Sequence, residues 1–174
     1  VPMSKRSVSP DCDVIGIRCF PTLKSKEEDY SENVLKKFKT YCKVPIVSLE
    51  SATLHPLQSL ADVITIREEW KEKRKPKVVL TWAPHIKPLP QAVSNSISEW
   101  MCKIDVDFTI THPKDYELAT AFTQGAKIVH DQNEALRDAD FIYVKNWSAY
   151  NDYGKILCTD TSWMLTNEKL KITN

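Results

Sequence analysis

Between Glu50 and Asp62 the chain reads E-S-A-T-L-H-P-L-Q-S-L-A-D, which brings a carboxylate, an imidazole and a carboxamide close together. A proline in the first turn of a helix is tolerated because its missing N–H would be unpaired anyway, so His55-Pro56 marks a helix entry. His55 and Gln58 then share one face of the first turn, beside free backbone N–H groups and the positive end of the helix dipole. Such a corner suits a small anion with a carbonyl to polarise. Arg18 closes the apolar run D-V-I-G-I-R, and Glu50, His85 and Lys145 likewise fall at or just past the ends of apolar runs. Open α/β sheets bind ligands at the carboxyl ends of their strands, where these four residues are expected. Plainer roles exist for each. Arg18 could pair with a nearby carboxylate, and a surface Glu50–Lys145 salt bridge would contribute little. His55 could bond a loop carbonyl, and Gln58 could be solvated.

The elements that must hold these groups alternate between two periodicities. The segment 12–20 is apolar and β-branched like a buried strand, whereas 27–42 places Tyr30, Val34, Phe38 and Tyr41 at helical spacing. A strand follows at 45–49, then a long helix at 56–70 with Leu57, Leu60, Ala61 and Ile64 as its expected inner face. The charged connector K-E-K-R-K-P-K at 71–77 marks a domain boundary. Beyond it the pattern predicts strands at 78–82, 106–111, 127–130 and 141–145, with helical segments at 91–103, around 116–123 and at 132–138. Strands separated by helices imply right-handed βαβ units. The expected fold is therefore α/β: two doubly wound, mostly parallel half-domains, 1–70 and 71–174, joined by the 56–70 helix. Trp82, Trp147 and Tyr150 are expected as aromatic walls at the ligand edge. Trp100, Trp163 and Tyr41 read as packing, and His112 and His130 as turn and strand-end residues.

Composition removes several function classes. With 24 Lys and Arg against 23 Asp and Glu, the chain is nearly neutral and shows no electrostatic footprint for nucleic acid or membrane. No apolar run is long enough to span a bilayer, and V-P-M-S-K-R-S-V-S-P lacks the apolar core of a secretory signal, so a cytoplasmic protein is expected. The five cysteines, Cys12, Cys19, Cys42, Cys102 and Cys158, lack C-x-x-C spacing and read as reduced thiols, not as a metal site. Neither G-x-G-x-x-G nor a P-loop occurs, and no cofactor is expected.

His55-Pro56-x-Gln58 resembles the H-P-x-Q element with which aspartate and ornithine transcarbamylases grip carbamoyl phosphate. D-V-I-G-I-R-C-F (13–20), S-L-E-S-A-T (48–53), T-W-A-P-H-I-K-P-L-P-Q-A-V (81–93) and D-F-I-Y-V-K-N-W (140–147) resemble the N-acyl-ornithine branch of that family. The resemblance runs from about residue 12 to residue 174. It implies transfer of a carbamoyl group from carbamoyl phosphate to the side-chain amine of an N-acyl-L-ornithine, with succinyl favoured over acetyl by the wording of 81–93. Arg18, His55 and Gln58 would hold carbamoyl phosphate and act catalytically, whereas Glu50, His85 and Lys145 would hold the acyl-ornithine. It further implies a homotrimer, a phosphate-cradling S-T-R-T loop before this stretch and an H-C-L-P loop after it. The chain is thus expected to be the central half of such an enzyme, with its own activity in doubt. Pro84, Pro88 and Pro90 stiffen the 83–93 loop, through which the resemblance implies that later chain passes to form a knot. Two other readings remain open: a non-catalytic folded scaffold, and a transferase acting on ornithine or a diamine.

Overall fold

A computed structural model describes residues 12–174, so the first eleven residues of the expected 1–70 half lie outside the described residues. Strand β1 (Ile15–Arg18) pairs in parallel with β2 (Ile46–Glu50), and the crossover between them carries helices α1 (Lys26–Tyr30) and α2 (Asn33–Tyr41). Helix α3 (Pro56–Glu69) leaves this small sheet and leads into a larger one. There β3 (Lys77–Trp82), β4 (Asp107–Thr111), β5 (Lys127–Val129) and β6 (Phe141–Lys145) lie in the order β5-β4-β3-β6, every pairing parallel. Helices α4 (Ala92–Met101), α5 (Thr120–Thr123) and α6 (Gln132–Leu136) make its crossovers. A 3-10 turn, Thr161–Trp163, and α7 (Asn167–Leu170) follow β6.

The central strand explains the larger sheet. Val78, Leu80 and Trp82 of β3 enter one core with Val63 and Ile66 of α3 and Ile97 and Met101 of α4. Val79 enters a second core on the opposite face with Ala135 and Leu136 of α6. A parallel strand covered on both faces must be apolar almost throughout, and K-V-V-L-T-W is. Because β4 and β5 extend to one side of β3 and β6 to the other, the winding reverses between β3 and β6. That reversal opens a crevice beyond their carboxyl ends. Across it, the Asn146 amide donates to the Ala83 carbonyl (2.7 Å) and the Ala83 N–H to the Lys145 carbonyl (3.1 Å).

Three sequence expectations change. The predicted 27–42 helix is two helices, broken at Glu32, whose φ of 53° is left-handed. α2 buries none of its residues, and Val34 and Tyr41, the latter expected to be packed, are exposed. In α3 the inner face is Ser59, Val63 and Ile66, while Leu57, Leu60 and Ile64 are 41%, 41% and 46% exposed. The helix has apolar residues on both sides, and its contact with α4 selects the side where Ser59 permits close approach. Finally, Trp82 and Trp147 are core residues: the Trp82 indole donates to the Trp147 carbonyl (3.0 Å), and the Trp147 indole to the Tyr116 carbonyl (2.8 Å). Only Tyr150 remains partly exposed, packed edge-on against Tyr30. Among the described residues no helix is long and apolar enough to cross a membrane.

Candidate active site

The small sheet delivers Arg18 and Glu50 to one point by a register shift. Ile17 lies opposite Ser48, but Arg18 lies opposite Glu50, so an irregularity between Ile17 and Arg18 skips Leu49. Such bulges re-aim the side chain that follows them. Both Nε and Nη2 of Arg18 reach the same Glu50 oxygen, Oε2, at 2.8 Å. The pair is asymmetric: the Glu50 side chain is 6% exposed and that of Arg18 55%. Part of the guanidinium fork is therefore spoken for, and the remainder is open to an anion, with the Phe20 ring 4.6 Å beneath its central carbon.

His55 completes the corner. Its Nε2 lies 3.6 Å from Glu50 Oε2, and as the residue capping α3 it accepts the Gln58 backbone N–H at Nδ1 (3.4 Å). A nitrogen that accepts cannot carry the proton in the neutral ring, so this bond assigns the proton to Nε2. The His55 Nε2–H thus faces the Glu50 carboxylate at this corner. The His55 backbone N–H in turn donates to Ser96 Oγ of α4 (2.7 Å), tying the residue to the larger sheet's helix layer.

Gln58 is differently engaged. Its Nε2 donates to Asp62 Oδ1 one turn on (3.0 Å), which leaves its carbonyl oxygen as an available acceptor. Burial pushes the Asp62 carboxyl up, and this amide bond opposes the shift. The structure therefore brings Arg18, Glu50 and His55 into one cluster, with Gln58 on the adjoining turn but bonded along its own helix. The Arg18–Glu50 pairing realises the plainer role of a strand-end arginine; a Glu50–Lys145 bridge does not form.

His85 and Lys145 occupy the other crevice. Lys145 ends β6 opposite Trp82, and His85 is exposed on the loop after β3, its Nδ1 accepting the Lys87 N–H at 3.1 Å. Among the described residues, the Lys145 ammonium has no hydrogen-bond or salt-bridge partner. Both groups stand where the winding reverses.

Known proteins are similar to this chain over most of its length. No protein-family model matches the chain. N-succinylornithine carbamoyltransferase of Bacteroides thetaiotaomicron is 52% identical over 165 residues, covering 94% of this chain and 52% of the relative. N-acetylornithine carbamoyltransferase of Xanthomonas axonopodis pv. citri is 34% identical over 156 residues, 82% of this chain and 45% of the relative. A crystal structure of an N-acetyl-L-ornithine transcarbamylase variant complexed with carbamyl phosphate and N-succinyl-L-norvaline superposes with a TM-score of 0.85 at 30% identity, over 93% of this chain and 55% of that one. Over nearly all of its length the chain is similar to carbamoyltransferases. It spans about half the length of the curated carbamoyltransferases it matches.

Three residues that fix this cluster in place carry no signal at the level of motif or strand end. Asn95 Nδ2 donates to the Thr53 carbonyl (3.1 Å), and Glu32 accepts from Ser51 and Thr53. A signal for the first was available: Q-A-V-S-N-S-I-S is a helix with polar residues on every side, yet Gln91, Ser94, Asn95, Ser96 and Ser98 are all buried. A buried polar helix must hand its donors and acceptors to something. Tyr30 joins the same junction, bonded to Gln91, and burial pushes its phenol up to about 12.

Proposed function

We propose that this chain forms the central part of a carbamoyltransferase that moves the carbamoyl group of carbamoyl phosphate onto the side-chain amine of N-succinyl-L-ornithine, with N-acetyl-L-ornithine as the alternative acceptor. The observation that carries the reading is the convergence of Arg18, Glu50 and His55 at the strand ends of a fold that superposes on a transcarbamylase holding carbamyl phosphate. The half-identity to an N-succinylornithine enzyme supports the succinyl choice.

In this mechanism the amine attacks the carbamoyl carbon, a C–N bond forms, and the C–O bond to phosphate breaks with its electron pair leaving on phosphate, which takes up the proton the amine loses. Negative charge grows on the carbamoyl oxygen as the amine approaches. Donors already aimed at that oxygen lower the barrier, because they need no reorganisation at the moment of reaction. His55 Nε2–H and the open part of the Arg18 fork are those donors. The Gln58 carbonyl accepts from the carbamoyl NH2, its orientation set by the Asp62 bond. Glu50 aligns Arg18 through Oε2 and offers Oε1 to the acceptor's amide N–H, while Lys145 and His85 receive its carboxylate. On this reading residues up to 70, Glu50 excepted, serve carbamoyl phosphate and those from 71 serve the acyl-ornithine. A homotrimer, a place in arginine biosynthesis, a cytoplasmic location and a knot through the 83–93 loop belong to the same proposal.

The test is carbamoyl transfer by the full-length protein with N-succinyl-L-ornithine, N-acetyl-L-ornithine, L-ornithine and putrescine offered in parallel. His55→Ala is expected to lower kcat by roughly 10²–10³-fold while KM moves little, since the bond strengthens in the transition state. Lys145→Ala is expected to weaken acyl-ornithine binding and spare carbamoyl phosphate. Unchanged turnover in His55→Ala removes that residue from the mechanism, and transfer to putrescine alone replaces the acceptor.

A further inference from the structure

The turn between Glu50 and His55 is held from two sides, and one of the holders is an unusual residue. Glu32 precedes α2 in the capping position, yet its carboxylate makes no capping bond to its own helix. Its backbone is left-handed, at φ 53° and ψ 35°. That region disfavours residues with a Cβ, and glycine or asparagine is its usual occupant. The carboxylate reaches across to the turn instead. A single oxygen, Oε1, accepts from Ser51 Oγ (2.7 Å), the Thr53 backbone N–H (2.9 Å) and Thr53 Oγ1 (2.6 Å).

Ser51, Ala52 and Thr53 are all buried, and they are the residues that run from Glu50 toward His55. From the opposite side, Asn95 holds the Thr53 carbonyl and Ser96 the His55 N–H. With both ends of the turn fixed, the imidazole and the Glu50 carboxylate keep their mutual position.

We propose that Glu32 is a positioning residue for carbamoyl transfer: it sets the 51–54 turn and, through it, the donor direction of His55 against Glu50. The inference rests on the carbamoyltransferase reading above. Because all three bonds end on one oxygen, the role needs an acceptor at that point and not a negative charge. Glu32→Gln therefore separates geometry from electrostatics.

In the full-length protein, Glu32→Ala is expected to lower kcat by about 10–100-fold, the scale on which displacement of a reacting group by about 1 Å acts, with KM for the acyl-ornithine within about twofold. Glu32→Gln, with a carbonyl oxygen in place of Oε1, is expected to keep kcat within about threefold of the parent, a change that geometry alone sets. Ser51→Ala removes one of the donors without touching Glu32, together with the Leu54 N–H bond that Ser51 Oγ accepts (3.2 Å). Its expected kcat loss is intermediate, and it carries the test if Glu32→Ala does not fold. Full turnover in a folded Glu32→Ala protein overturns the proposal, as does full turnover in Ser51→Ala, or a Glu32→Gln loss as deep as that of Glu32→Ala. A parent protein without carbamoyl transfer, or an active His55→Ala variant, sinks the underlying reading instead, so the two failures are told apart.

Discussion

The two sheets solve the problem of specifying structure in opposite ways. In the four-stranded sheet the central strand is sealed on both faces, and burial of apolar area dominates where its residues go. In the two-stranded sheet alternate residues stay partly open, with Val47 38% and Leu49 36% exposed, and position is set by an ion pair and a ring of hydrogen bonds. The first arrangement makes a rigid frame with Lys145 and His85 at its rim. The second makes a cluster whose geometry depends on each polar partner being in place, since a buried group that loses its partner costs more than the bond contributed.

The contrast is sharpest where a core residue is shortened. Leu80→Ala, at a fully buried site on β3, is expected to cost about 2–5 kcal/mol, whereas Val47→Ala, half open on β2, is expected to cost under about 1 kcal/mol. Urea unfolding measures both, and equal losses would erase the distinction between the sheets.

A middle-sized effect is expected at the seam between them. Gly154 has φ +74°, and a Cβ there would meet the Leu23 carbonyl oxygen at 2.2 Å. Beside it, the Tyr153 hydroxyl donates to Asp29 Oδ2 (3.0 Å), and Asp29 also accepts the Thr22 and Leu23 N–H groups at 2.9 Å. Gly154→Ala is expected to lower stability by roughly 1–3 kcal/mol, read as a drop in Tm. A neutral result would mean the seam is loose.

The smallest effect concerns the amino-end edge of the larger sheet and depends on pH. Arg74 donates to both oxygens of Asp140 (2.7 and 2.6 Å), and the Lys77 N–H (2.7 Å) and the Asn174 amide (2.9 Å) add to them. The Arg74 guanidinium, ahead of the other partners, holds the Asp140 carboxyl down at about 2. A carboxyl whose folded pKa lies below its unfolded value of about 4 contributes fully above that pH and loses its contribution as pH falls toward 2. Asp140→Asn is thus expected to be less stable than the parent at pH 6, with the gap closing between about pH 4 and pH 2 in an acid titration followed by circular dichroism. A gap that stays constant with pH would detach Asp140 from the acid limb.

Legibility in the sequence follows the same division. V-V-L-T-W declares itself as a strand because burial on two faces leaves no choice of residue type, F-I-Y-V-K because it is rich in aromatic and β-branched residues, and His55-Pro56 declares a helix start because proline is tolerated in a first turn. The break at Glu32 left no trace, since neither glycine nor proline marks it. The inner face of α3 was misjudged because its composition is apolar on both sides and only the contact with α4 decides between them. Arg18, Glu50 and His55 could be named from motif and strand end. Their partners in Glu32, Asn95 and Ser96 could not, because each bond joins segments far apart in the chain and follows no periodicity.

The bond from Asn146 to Ala83 staples together the two lips of the crevice where β3 and β6 part, and Pro84, Pro88 and Pro90 stiffen one of them. That edge is fixed before anything arrives, and whatever lies beside Lys145 meets a wall already in place.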